Sequence, residues 1–159
     1  PESFRYMLKM FKQGSYYGEK SFRPEDEPKF AARRYTPDHI TSLAPNEVFV
    51  FGSNLEGMHG GGAAAAAMRF FGAVWGQGVG LQGQSYGIPT MHGGVEEIRP
   101  YVDEFIEFAR KHPELTFLVT RIGCGIAGFT DMQIAPLFIY ALEMSNVVLP
   151  KSFVEILKK

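Results

Sequence analysis

Residues 60–62 are three consecutive glycines that run into five alanines, and residues 123–128 read GCGIAG. Glycine leaves no Cβ in the way of a ligand that must touch the backbone. Each run follows an apolar, β-branched and aromatic stretch and precedes a stretch of helical character. In an open α/β sheet that is the carboxyl end of the strands, where ligands bind. A helix N-terminus there offers unpaired N–H groups and about half a positive charge, which suits phosphate. Gly60, Gly61 and Gly62 in one loop, and Gly123, Cys124, Gly125, Ile126, Ala127 and Gly128 in the other, are therefore candidate ligand-binding residues that can grip the two phosphates of a pyrophosphate. The competing reading of the first run is close packing of a helix on a sheet.

The GxGxxG pattern at 123–128 recurs at 78–83 in a chain with 18 glycines, and the strand after the former lacks the acidic end residue of a dinucleotide fold. No GxxxxGK[ST] occurs, which excludes a P-loop. Among reactive side chains, Cys124 reads either as a small loop residue or as a nucleophile at a helix N-terminus. His59 reads as a capping residue or as a base within reach of a ribose. Asp131 is a helix-start residue beside a Thr130/Gln133 capping box, or a base. Arg121 follows a buried strand and is either paired inside or near the ligand. The 4 histidines show no metal-ligand spacing, so neither a metal nor a cofactor is expected.

The elements that must position these groups alternate. EVFVFG is a strand buried on both faces, and residues 63–71 form a helix ended by Gly72. GQGVGLQGQ reads as a loop and SYGIPT as a short strand. Residues 98–112 form a helix with Ile98, Val102, Phe105, Ile106 and Ala109 on one face, stopped by Pro113. LTFLVTRIG is a strand, CGIAGFTD a tight loop, MQIAPLFIYALEM a helix strained by Pro136, and VVL a last strand. The fold class is α/β: three layers, with a mixed, mostly parallel sheet covered on both faces.

Composition sets the outer limits. With 159 residues, 45% of them hydrophobic, the chain supports one domain. Residues 1–34 form an N-terminal arm, which mixes aromatic and charged residues without a period. Residues 35–159 are expected to form the one domain that carries both glycine loops. The arm holds eight basic and five acidic side chains and the domain eight basic and twelve acidic, so no nucleic-acid groove is expected. The single cysteine excludes an internal disulfide and points to a reducing, cytoplasmic compartment. No apolar run is long enough to cross a bilayer, so no membrane partner is expected. The arm's Phe4, Tyr6, Met7, Met10, Phe11, Tyr16 and Tyr17 are costly to expose together, and either fold back on the domain or make a homo-oligomer contact.

Four segments in order, DHITSLAPNEVFVFGSN, HGGGAA, SYGIP and GCGIAGF, make residues 38–149 resemble the macrodomain family of ADP-ribose-binding modules. The resemblance implies a macrodomain-like fold that binds ADP-ribose, a related nucleotide diphosphate or an ADP-ribosylated macromolecule. It implies Asp38 as acceptor of the adenine amino group, Asn54 near the distal ribose, the two glycine loops on the phosphates, and Phe129 beside a ribose. Phe51 replaces the family's first Asn, and Ala64 stands where its hydrolytic branch carries Asp. An alternative is an ADP-ribosyl hydrolase using Asn54 with His59 or Asp131 in place of that Asp. A third is an assembly module with a vestigial site.

Overall fold

A computed structural model describes residues 33–159. The arm expected over residues 1–34, and the self-association expected of it, therefore lie outside the described residues apart from Arg33 and Arg34. The sheet has five strands in the order β2-β3-β1-β4-β5. They are β1 (Glu47–Ser53), β2 (Gly80–Gln82), β3 (Ser85–Pro89), β4 (Thr116–Val119) and β5 (Val147–Val148). All neighbours pair in parallel except β2 with β3.

Side chains alternate between the faces of a strand, and β1 uses this to divide the core. Val48 and Val50 face the larger cluster, together with α2 (Val95–Lys111), α4 (Lys151–Leu157) and the segment between β4 and β5. Phe49 and Phe51 face the other way, onto α1 (Gly62–Phe70). There Ala64 and Ala67 are buried, and their small side chains let the helix lie against the two aromatic rings. The close-packing reading of the alanines is therefore correct for these two. On the opposite face Phe105, Phe117, Phe138 and Phe153 are fully buried, each stabilising the fold by about 1.5–3 kcal/mol.

Several boundaries differ from expectation. Residues 132–144, MQIAPLFIYALEM, do not form one helix. A single turn, α3 (Asp131–Ile134), passes into a 3-10 helix over Ala135–Ala141. Pro136 has no N–H to continue the α ladder, and the tighter winding dispenses with it. Helix α2 begins at Val95 rather than 98, because the Glu97 carboxylate accepts from the Gly94 N–H at 2.6 Å and caps the earlier turn. The loop GQGVGLQGQ contains β2, joined to β3 by the two-residue turn Gly83-Gln84, with Gly83 at φ +62°. Helix α4 had no counterpart in the expected elements. No helix among the described residues is long and apolar enough to cross a membrane.

Candidate functional site

The cleft originates where the sheet splits. Strands β1 and β3 stay paired to Ser53 and Pro89, and Thr90 N–H still donates to Ser53 O at 2.9 Å. On the other side β1 and β4 separate after Val50 and Val119. Thr120 ends that ladder by donating its N–H (3.1 Å) and its hydroxyl (2.7 Å) to Val50 O. A tight turn, Ile122 N–H to Thr120 O at 2.7 Å, then carries β4's chain away from β1. The strand expected to run to Gly123 thus stops at Val119. The gap is a cleft of about 250 Å³ between the ends of β1, β3 and β4 and the start of α1.

Both glycine loops line it, through Gly61, Gly62, Ala63 and Ala64 on one side and Gly123, Gly125, Ile126 and Ala127 on the other. Gly61 supplies no side-chain cap, and the first backbone bond of α1 is Ala65 N–H to Gly61 O, so the Gly62, Ala63 and Ala64 amides have no partner among the described residues. In the second loop Gly128 N–H bonds Gly125 O and Phe129 N–H bonds Gly123 O, which folds the loop over itself. Gly123 (φ +74°) and Gly128 (φ +84°) make the two bends that only glycine adopts without strain. The N–H groups of Gly123, Gly125, Ile126 and Ala127 have no backbone or side-chain acceptor among the described residues. The two loops face each other through the Ile126 side chain, whose Cδ1 lies 3.4 Å from where a Cβ on Gly61 would stand.

A second hollow, of about 450 Å³, shares Thr120, Arg121 and Gly125 with the first, and is also lined by Thr36, Asp38, His39 and Cys124. Arg121 borders both. Its guanidinium binds Asp131 in bidentate fashion, Nε to Oδ1 at 2.9 Å and Nη2 to Oδ2 at 3.0 Å. Arg121 is thus paired, but with its side chain half exposed at the cleft rather than inside. Burial alone would raise the Asp131 carboxyl, but Arg121 and the Cys124 thiol bind it and hold it below the usual carboxylate range. The thiol itself is pushed up to about 12, by burial first and then by Asp131. At neutral pH a thiol so raised is protonated and a poor nucleophile.

The remaining candidates sit as follows. Asn54 lines the cleft, but its amide closes a turn: Oδ1 accepts from Met58 N–H at 2.8 Å and Nδ2 donates to Met58 O at 2.9 Å. His59 does not line it. The ring is 1% exposed, edge-on to Phe51 at 5.3 Å, and Nε2 lies 2.9 Å from Val74 O. A carbonyl only accepts, so Nε2 carries the proton, and Nδ1 is buried without a partner. Asp131 opens α3, and Thr130 with Gln133 forms the expected capping box. Gly60 and Gly128 do not line the cleft. Phe129 packs on the larger core beneath its loop rather than in either hollow. Asp38 reaches only the second hollow.

Gly52, Thr90, Met58 and Met91 also line the cleft without having been singled out from the sequence. The signal for the first two was present: each ends an apolar stretch, EVFVFG or SYGIPT, that reads as a strand in the sequence. No family model, curated protein or solved structure matches this chain significantly.

Proposed function

We propose that this chain is a macrodomain-like module that binds ADP-ribose or a related nucleotide diphosphate, free or attached to a macromolecule. One observation carries the reading: two sets of unpaired backbone amides, from the start of α1 and from the 123–128 loop, converge on one cleft beside the Arg121 guanidinium. Such a cleft suits a diphosphate, whose oxygens accept hydrogen bonds and carry the charge that helix ends and arginine favour. The two hollows meeting at Arg121 and Gly125 suit a ligand longer than a phosphate, with adenine toward Asp38 and the distal ribose toward Asn54.

Binding is favoured over hydrolysis. Among the described residues, the lining of the smaller cleft holds no carboxylate and no imidazole, and Ala64 occupies the wall. His59 and Asp131, which a hydrolase would need, are engaged with Val74 and Arg121. Titration calorimetry with ADP-ribose, ADP, NAD and AMP tests the proposal. ADP-ribose and ADP should bind more tightly than AMP, which has one phosphate. Failure of all four at millimolar concentration would overturn it.

A further inference from the structure

The floor of the cleft holds one more built feature. Gly52 lies at the fork where β4 parts from β1, with β3 still paired on its other side. A Cβ on Gly52 would point at the Thr90 hydroxyl (3.1 Å), the Gly123 amide nitrogen (3.4 Å) and the Ile122 Cβ (3.6 Å). Thr90 is only 3% exposed, yet its hydroxyl has no hydrogen bond among the described residues. Gly123 is buried, and its N–H is equally unpaired. Two donors therefore converge, without acceptors, over the one position of β1 that has no side chain. Both residues line the cleft, so the hydroxyl and the amide are free to donate to a bound ligand.

We infer that Gly52, Thr90 and Gly123 form a cradle that seats one anionic acceptor oxygen of the ligand at the cleft floor, with Thr90 as a specificity-determining residue. This rests on the diphosphate reading of the same cleft and goes beyond it, since neither Gly52 nor Thr90 belongs to the glycine loops. The Thr90 O–H and the Gly123 N–H each donate to that oxygen. The bare Cα of Gly52 lets the oxygen come down between them. Any side chain at position 52 would occupy the approach and crowd Thr90.

The test uses the full chain, ¹⁵N-labelled, with ADP-ribose and inorganic pyrophosphate as probes and thermal melting as a check of folding. In the unsubstituted protein both ligands should move the Gly123 amide resonance. Thr90→Val keeps the shape but deletes the donor, and should weaken ADP-ribose binding about tenfold or more, the worth of one hydrogen bond to a charged group. Thr90→Ser keeps the hydroxyl and should stay within about threefold of the original affinity, and Gly52→Ala should weaken binding at least as much as Thr90→Val. Undiminished binding by Thr90→Val, by folded Gly52→Ala, or a Gly123 amide that neither ligand moves, would overturn the cradle. If Gly52→Ala fails to fold, the Thr90 pair decides. If ADP-ribose does not bind but pyrophosphate moves the Gly123 amide and loses affinity in Thr90→Val, the cradle stands and the ADP-ribose reading falls.

Discussion

Replacing Gly125 by valine separates a ligand site from a merely glycine-rich loop. Gly125 borders both hollows, and no heavy atom lies within 4 Å of where its Cβ would be. It is not among the glycines with left-handed backbone, unlike its neighbours Gly123 and Gly128. The substitution should therefore leave the fold intact, or stabilise it by about 0.4–1 kcal/mol by restricting the unfolded chain. Against a bound diphosphate the effect is opposite. The valine methyls would stand where the ligand crosses between the hollows and hold it off the Gly125 and Ile126 amides. Two hydrogen bonds to an anion, each worth about 1.5–3 kcal/mol, amount to roughly a hundredfold to ten-thousandfold in Kd. Calorimetry with ADP-ribose, paired with thermal melting, reads both quantities. Gly60→Ala is the control: position 60 is equally open but borders neither hollow, so its affinity should not change. A folded Gly125→Val protein with the original Kd would refute the reasoning.

Three further outcomes follow from the same geometry. Asp131 and Glu47 both ionise below the usual carboxylate range, Asp131 despite its burial because Arg121 binds it, and Glu47 through the Ala44 N–H and Arg34. A depressed folded value stabilises the protein fully above about pH 4, where unfolded carboxylates titrate, and the contribution disappears as pH falls through the folded value. Asp131→Asn and Glu47→Gln should each flatten the acid limb of stability against pH; an unchanged limb would remove these pairs from the account. The Cys124 thiol, raised to about 12, should resist iodoacetamide at pH 8, and Asp131→Asn should speed the reaction. Its protonated form also stabilises the fold up to about pH 9, the unfolded value, with that contribution lost as pH rises toward 12. Labelling at the rate of a free thiol would contradict this. His59→Ala should cost about 2–4 kcal/mol in denaturant unfolding, from the vacated volume beside Phe51 and the lost bond to Val74. A cost under about 0.5 kcal/mol would mean the ring is not a packing element.

The sheet was legible because period and burial agree in its central strands. VFVF at 48–51 has no polar alternation since both faces are covered, which is what a central parallel strand requires. Helix α2 was legible from its apolar spacing, but its start was not. The capping contact comes from Glu97 reaching back to a glycine N–H, and a Gly at the cap offers no side chain to read. β2 was hidden for a different reason. Three residues, GLQ, carry no alternation of their own, and the strand exists because β3 offers an edge and Gly83 supplies the turn. Pro136 was visible as a conflict, but its resolution into a 3-10 helix depends on the packing of Leu137, Phe138 and Ala141 against the core.

The site shows the same division between local and long-range information. Glycine loops announce themselves in sequence because their peculiarity is local: Gly123 and Gly128 are glycine for their own backbone angles. The reactive side chains are another matter, since a residue's role depends on what tertiary structure brings beside it. His59 is one residue from a glycine run, yet the turn that Asn54 closes on Met58 sends its ring down onto Phe51 instead of into the cleft. Asp131 looks like an available base until Arg121, ten residues earlier, is found bound to both its oxygens. Conversely, Gly52 and Thr90 carry no motif, and acquire meaning only because β4 leaves the sheet three residues before β1 ends. The cleft is lined largely by glycine and alanine, so on the proposed reading its specificity rests on the few polar side chains within reach, Thr90 and Arg121 among them.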